Sequence, residues 1–500
     1  MAERNFQNGT RLAAVDLGSN SFRLEIGSLD HGQIHRSEYL KETVRLGGGL
    51  DRERNLTDEA MQRGWDCLGR FGERLAGFEH WQVRAAATQT LREARNPEAF
   101  LSRAQQILGF PIEVISGREE ARLIYQGVAH LLPQSNERRL VVDIGGRSTE
   151  LILGRSLEAS KMESYRVGSV AWSMKYFAEG RFSAQIFQLA EVAAKAFLDE
   201  ATDKFWHTHW DQAYGSSGTI GAVRDILAAA GFDHGVVTLQ GVKWLRSRLI
   251  EGQSAERIHL AGLKDERRAV IGGGLSVLLA VFDLFGVAEL HAAQGALRHG
   301  LLYDLLDREQ TETDVRASTV ARLGRKFDVD ASQAGRVSQV ARHLLGMVVD
   351  GKCDVQRIMR MLDWAAQLHE IGGLISHSDS HKHGAYVLDN ADALGFAMSE
   401  LHRLSLLVLG HKGKLKKLEA DFDDDAFVKQ LLALRLAVIL CHARRDPDLA
   451  GLLLSASGET WMVSGPAGWV TRFPQSAHLL REESKAWDRS SWRLVLDLPA

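Results

Sequence analysis

Two stretches, Val15–Gly27 (VDLGSNSFRLEIG) and Val142–Gly154 (VDIGGRSTELILG), lie 127 residues apart and match at six of thirteen positions: valine, aspartate, glycine, serine, leucine and the closing glycine. Each reads as an apolar strand ending in aspartate, a turn of small residues, and a second strand with alternating faces, which is a β-hairpin. A small-residue turn exposes backbone N–H groups and lets an anion come close, because glycine has no Cβ. Two such turns facing each other across a cleft would grip a phosphate chain from both sides, with Asp16 and Asp143 available for a cation. One such turn is an ordinary strand connector. Its repetition calls for a shared function, since both copies accept the same conformational cost.

The elements around these hairpins alternate. From Leu12 to about Asp307, β-rich runs such as LAAVDLG, WQVRAAAT, IEVIS and LVVDIGG are interleaved with helical stretches, the pattern of α/β domains. Beyond Thr311 apolar residues recur every three or four positions, as in VQRIMRMLDWAAQLHEIG, which predicts an all-helical segment. After Pro447, GETWMVSGPAGWV and WRLVLDLP alternate like strands. The expected domains are therefore 1–130, 131–310, 311–446 and 447–500, and a length of 500 residues is ample for three or more cores. The run Ala269–Phe282 is only 14 residues long and predicts a buried helix rather than a membrane span. A net charge of −3, from 61 basic and 64 acidic side chains, gives no sign of a nucleic-acid polymer or a membrane surface as partner. Cysteines at 67, 353 and 441 are too few and too scattered for a disulfide framework or a zinc cluster. With a charged, polar N-terminus, they suggest a cytoplasmic protein.

In order along the chain stand VDLGSNSFRLEIG, AAATQTLREARN, VISGREEARLIYQGV, VDIGGRSTELI, YGSSGTIGAV, GALRHGLLYDLL, and LHEIG with HKHGAYVL. This ordered set resembles the exopolyphosphatase and guanosine pentaphosphate phosphohydrolase (Ppx/GppA) family, within the superfamily of sugar kinases, heat-shock proteins and actin. The resemblance implies an α/β fold of two duplicated actin-like (ribonuclease H-like) domains around a cleft, then an all-α HD-like domain and a small α+β C-terminal domain. It implies that Glu120, the second glutamate of the REEAR segment, is the catalytic carboxylate that orients and deprotonates water, while Glu119 reads as a surface residue salt-bridged to the arginines of that segment. On its own, REEAR reads as a solvated helical face. The resemblance further assigns Ser19, Asn20, Ser21, Arg92, Gly145, Gly146 and Ser148 to phosphate, and Asp143 and Glu150 to a divalent ion, Mg²⁺. Arg147 departs from the small residue common at its place, and its guanidinium is expected to point into the cleft as one more phosphate contact.

Two further small-residue loops, Gly215–Thr219 and Gly295–Gly300, are expected to open helices and to hold additional phosphates or a nucleoside, although packing explains their glycines as well. Seven histidines lie between 343 and 411. LHEIG resembles a His-Asp phosphohydrolase helix in which Glu370 replaces the aspartate, so a degenerate domain without metal is expected. Arg267, His383, Lys414, Lys416 and Lys417 are candidates for a channel along a long polyanion, the lysines reading equally well as solubilising surface. The activity expected is that of a Mg²⁺-dependent exopolyphosphatase releasing orthophosphate from the end of inorganic polyphosphate. Guanosine pentaphosphate is the alternative substrate, alone or in addition; a nucleotide-gated actin-like binding protein and a kinase are the rivals from other classes. A homodimer and a hinge between the first two domains are implied by the resemblance alone.

Overall fold

The two hairpins sit at equivalent places in two sheets. In this computed structural model, which describes residues 6–233, 235–308, 313–349 and 355–499, the first sheet comprises β1 (Arg11–Leu17), β2 (Phe22–Asp30), β3 (Gln33–Glu42), β4 (Val83–Ala87) and β5 (Ile112–Val114), in the order β3-β2-β1-β4-β5. The second comprises β6 (Arg138–Ile144), β7 (Thr149–Arg155), β8 (Glu158–Tyr165), β9 (Gln212–Ser216), β10 (Val236–Thr238) and β11 (Glu289–Ala292), in the order β10-β11-β9-β6-β7-β8. With β6 as the counterpart of β1, both sheets have three antiparallel strands followed by parallel neighbours, and β10 is an added antiparallel edge. The duplication extends to register. Leu17 pairs with Phe22 and Ile144 with Thr149, so each turn has four residues, and Asp16 faces Arg23 where Asp143 faces Glu150.

Alternation decides which face of each strand is apolar. Phe22, Leu24 and Ile26 of β2 are buried with residues of α1 (Asp58–Arg74) and α3 (Pro97–Leu108), between which the short α2 (Gln89–Glu93) carries Arg92. Two helices lie between the sheets: α4 (Gly117–His130) and, further along, the helix Leu297–Arg308. Their residues Leu123, Ile124, Leu301 and Leu302 share one core with Leu12 and Ala14 of the first sheet and Val141 and Ile152 of the second. The helices meet backbone to backbone, since a side chain at Gly300 would overlap the Leu123 carbonyl and one at Gly127 the Ala296 carbonyl. The glycines of the GALRHG loop thus serve this contact.

The second sheet carries α5 (Ser169–Tyr176), α6 (Ala184–Leu198), α7 (Ser217–Ala229), α8 (Leu239–Gly252) and α9 (Ile271–Phe285), and the Leu297–Arg308 helix is α10. The uncharged run 269–282 falls mostly in α9, whose residues are buried on nearly all sides, as apolarity around the whole helix requires. Among the described residues no helix is long and apolar enough to cross a membrane.

The chain divides after Asp314. The second unit has helices α11 (Val315–Lys326), α12 (Ala331–Gly346), α13 (Val355–Leu368), α14 (Ser380–Asp389), α15 (Met398–Gly410), α16 (Asp425–Leu440) and α17 (Pro474–Trp487), and a three-stranded sheet of β12 (Leu453–Ser457), β13 (Thr460–Ser464) and β14 (Arg493–Asp497). The sequence suggests a separate domain after Pro447, yet Trp461, Trp469 and Trp487 are buried in the same core as Leu431 and Leu434 of α16. Arg435 of α16 also donates to both oxygens of buried Glu483 of α17, at 2.5 and 2.6 Å. Helices and sheet therefore form one body.

Candidate active site

The two turns face each other across a cleft of about 390 Å³. Ser19, Asn20 and Ser21 line it from the first turn, and Gly145, Gly146 and Ser148 from the second. The turns nearly touch: a Cβ on Gly146 would lie 2.8 Å from that of Ser19, so this position needs glycine. Each turn is braced by backbone hydrogen bonds from neighbouring segments. Gly47 N donates to the Ser19 carbonyl (2.8 Å) and Arg45 N to that of Asn20 (2.9 Å). Ser169 N and Val170 N, at the start of α5, donate to the carbonyls of Gly145 and Gly146, at 2.9 and 2.7 Å.

Glu120 lines the same cleft. Ser116 caps α4 by accepting from Glu119 N (3.2 Å), so Glu120 falls in the first helical turn, where the helix dipole favours an anion. One oxygen lies 2.9 Å from Arg92 Nη2. Burial pushes the Glu120 carboxyl up to about 7 against the pull of Arg92, with Asp143 and Asp16 adding to the rise. Burial likewise raises Asp143, to about 6, and lifts Glu150 well above the ordinary carboxylate range, the latter reinforced by the charges of Glu120 and Asp143. Four acidic groups thus converge where water is scarce.

Residues that strand alternation did not single out complete the lining. Arg23, Arg36, Lys41, Arg224 and Arg298 line the cleft together with the anticipated Arg267, and Tyr39 is the aromatic among them. Arg23 pairs with Asp16 (2.9 Å), and Arg298 with Glu25 (2.5 Å). Arg267 packs against Gly218, where a Cβ would overlap the guanidinium. Ser217, Gly218 and Thr219 reach the cleft from the first turn of α7, as the GSSGT spacing predicts for a helix start.

Two expectations need correction. Arg147 does not enter the cleft: Nε and Nη2 donate to the two oxygens of Glu93 (2.8 and 2.9 Å) and Nη1 to the Gly47 carbonyl (2.8 Å). The Glu93 carboxylate fits its planar fork and occupies it. Glu119 is not at the surface but fully buried, bound by Arg122 Nε and Nη2 at 2.8 Å each. The same network joins Arg84, Arg122 and Arg308 to Asp304 of α10. The other proposed channel residues belong to the second unit. Lys414, Lys416 and Lys417 are exposed around a 3₁₀ turn that buries Leu415 and Leu418, and His383 is half-buried in α14. His369 and His411 are buried, their rings edge to face at 5.3 Å, and Glu370 pairs with Arg444.

The Ppx/GppA phosphatase family matches residues 26–309, and domain III of the Ppx/GppA phosphatases matches residues 315–484. The chain belongs to this family. A guanosine-5′-triphosphate,3′-diphosphate pyrophosphatase from Photobacterium profundum is 36% identical over 492 residues, 97% of each chain. Among solved structures, an exopolyphosphatase from Cytophaga hutchinsonii superposes with a TM-score of 0.55 at 24% identity, over 60% of this chain and 98% of that one. The Aquifex aeolicus family member does so with a TM-score of 0.50 at 25% identity, over 60% and 99%. The fold of this Ppx/GppA phosphatase is accordingly two actin-like domains followed by a helical C-terminal region, and the family's chemistry is hydrolysis of phosphoanhydrides.

The second hairpin of this Ppx/GppA phosphatase suits a hard cation. Asp143 and Glu150 are paired across the strands as like charges, an unfavourable arrangement unless something neutralises it. Glu150 Oε1 accepts from Ser164 Oγ (2.8 Å), and Oε2 is buried with no partner. No three potential ligands among the described residues form a ready metal cage. Mg²⁺ does not require one, since it keeps several waters and takes one or two carboxylates together with substrate phosphate.

Proposed function

We propose that this chain releases the terminal phosphate of a linear phosphoanhydride chain by attack of water, with Glu120 accepting the water's proton. Glu120 is suited to a base at neutral pH, because burial brings its carboxyl to about 7 and its place at the N-terminus of α4 turns it toward the cleft. The backbone of the two turns, with Ser19, Ser21 and Ser148, cradles the terminal group, while Arg92, held by Gln89 and the Ile115 carbonyl, steadies Glu120. Asp143 and Glu150 would hold a divalent cation such as Mg²⁺, whose charge offsets that of the phosphate oxygens.

The principal substrate in this reading is inorganic polyphosphate. The observation that carries it is the cleft lining, in which six cationic side chains accompany a single aromatic ring, a surface suited to a polyanion without a base. A second reading, removal of the 5′-terminal phosphate of guanosine pentaphosphate, is favoured by the near-full-length relative from Photobacterium profundum. The two substrates end in the same triphosphate, and a base would meet Tyr39, whose ring carries the guanidinium of Arg298 5.0 Å from its centroid, only by sharing or displacing that contact. The test is phosphate release from long polyphosphate, tripolyphosphate and guanosine pentaphosphate with Mg²⁺, for wild type and Glu120→Gln. A loss in kcat of roughly 10²- to 10⁴-fold is expected for the variant on every substrate cleaved. Equal turnover by Glu120→Gln would refute the assignment, and the ratio of kcat/KM values for the wild type ranks the substrates.

A further inference from the structure

Of the second turn, 145–148, Arg147 alone does not line the cleft. It crosses instead to the other lobe. Its fork grips both oxygens of Glu93, and its remaining amino group holds the carbonyl of Gly47. The ion pair is largely shielded from water, with side-chain exposures of 13% and 18%. Both anchors lead back to the active site. Gly47 N donates to Ser19 O in the first turn, and a Cβ on Gly47 would lie 2.9 Å from Arg147 Cδ, so glycine makes room for the arginine stem. Glu93 follows Arg92 in α2, and Arg92 is the partner of Glu120. Although burial pushes the Glu93 carboxyl up, the hydrogen bonds and charge of Arg147 hold it below its ordinary range, so the pair stays ionised.

We propose that Arg147 is a positioning residue: it clasps the two lobes at the catalytic end, holds the phosphate turns at their closed spacing, and keeps α2, and with it Arg92, against Glu120 before any substrate binds. A bidentate guanidinium–carboxylate pair fixes orientation as well as distance, which a lysine cannot do. Closing the lobes in advance removes an ordering cost that the substrate would otherwise meet on binding. A second tie, Lys41 to Glu266 with Thr43 beside it, also joins the lobes but is more exposed, at 26% and 33%. Losing the clasp should therefore loosen the closed state without separating the lobes. The clasp is independent of which polyphosphate end is the substrate.

The test measures shape and turnover separately. Cysteines for spin labels placed at exposed Glu73 of α1 and Gln188 of α6 report the distance between lobes in the full chain. In an otherwise wild-type background the ligand-free distribution is expected to be narrow and unchanged by imidodiphosphate with Mg²⁺. With Arg147→Gly it should broaden, and narrow again on adding that analogue. On tripolyphosphate, Arg147→Gly and Glu93→Gln should each lower kcat/KM by about ten- to a hundredfold. The double variant should lose no more than either single one, Arg147→Lys should resemble Arg147→Gly, and the swapped pair Arg147→Glu with Glu93→Arg should recover part of the loss. A ligand-free distribution that Arg147→Gly leaves unchanged overturns the proposal, as do additive losses in the double variant. Should Arg147→Gly not fold, Glu93→Gln is read by the same two measurements. Should neither substrate be hydrolysed, the distances still decide the clasp, apart from the proposed reaction.

Discussion

Replacing Arg92 by glutamine removes the cation 2.9 Å from Glu120 and leaves a shorter, neutral polar side chain. Both partners are well shielded, at 12% and 9% exposure. Unit charges that close interact by about 6 kcal/mol at an effective dielectric of about 20. Because a glutamine admits some water in place of the guanidinium, that figure is a ceiling, and a neighbouring cation usually moves a carboxylate by about 1–3 pH units. Glu120 already stands at about 7 with Arg92 holding it down, since burial and the charges of Asp143 and Asp16 push it up. Without Arg92 it should rise to roughly 8–10. As the base must be ionised to act, the acid limb of the pH–rate profile moves to higher pH by the same amount. At pH 7, where about half of the wild-type Glu120 is ionised, the rate falls about 5- to 500-fold, and it recovers in alkaline solution. The assay is log kcat/KM for phosphate release from tripolyphosphate, measured from about pH 6 to 10 for wild type, Arg92→Gln and Arg92→Lys, the last keeping the charge and expected to stay near the wild-type limb. The terminal phosphate of the substrate titrates identically in all three, so the displacement between curves belongs to the enzyme. A uniform loss at every pH, with the limb unmoved, would refute the coupling of Arg92 to Glu120.

Asp304→Asn should destabilise the first unit by about 3–5 kcal/mol, because it strips the carboxylate from three arginines, Arg84, Arg122 and Arg308, at a buried site. Urea denaturation followed by circular dichroism checks this, and an unmoved midpoint would show that the network carries no net stabilisation. In the second unit burial holds His369 and His411 below the usual histidine range. Their native values lie below the unfolded one, so the unfolded chain binds more protons as pH falls below about 6.5, and stability drops by up to about 1.4 kcal/mol per pH unit for each ring until the native value is reached. The pH dependence of the denaturation midpoint should therefore be shallower in His411→Gln than in the wild type, and equal slopes would refute this.

The features legible in the sequence were those whose cause is local. The paired hairpins could be read because a four-residue turn after a strand-end aspartate restricts which residues fit, and the same restriction appears twice. The buried α9 was legible for a similar reason, since an uncharged helix has nowhere else to go. What escaped depended on partners far along the chain. Glu119 reads as a solvated helical residue because nothing near it reveals that Arg84 of β4 and Asp304 of α10 will close over it. Arg147 sits in a phosphate-binding pattern, and its real partner, Glu93, lies in another lobe. The cations on β2 and β3 look like the polar side of half-exposed strands, and only the facing lobe turns Arg23, Arg36 and Lys41 into the wall of a cleft. The tail after Pro447 showed its strands but could not show that Trp461 and Trp487 complete the core of the helices before it.

The register of the two hairpins also explains why duplicated halves need not do duplicated work. In the first, the residue opposite the strand-end aspartate is Arg23, which pairs with Asp16 at 2.9 Å, so that hairpin is neutralised from within the chain. In the second, the same register position holds Glu150, and Asp143 faces a like charge. Arg23 and Arg298 offset part of the charge on Asp143, and the rest of the balance is left to a proton or a cation. The raised values of both groups show the proton's side of that competition: with nothing else bound, each retains its proton to higher pH than an ordinary carboxyl. Their ionised forms then oppose folding, so the ligand-free first unit gains from these groups as pH falls through their native values toward those of the unfolded chain. A divalent cation seated by the proposed pair would displace the protons and relieve the repulsion at once, and added Mg²⁺ should therefore stabilise the wild type more at pH 8 than at pH 5. In Glu150→Gln, where one of the two charges is already gone, that difference should shrink; if it persists undiminished, the cation sits elsewhere.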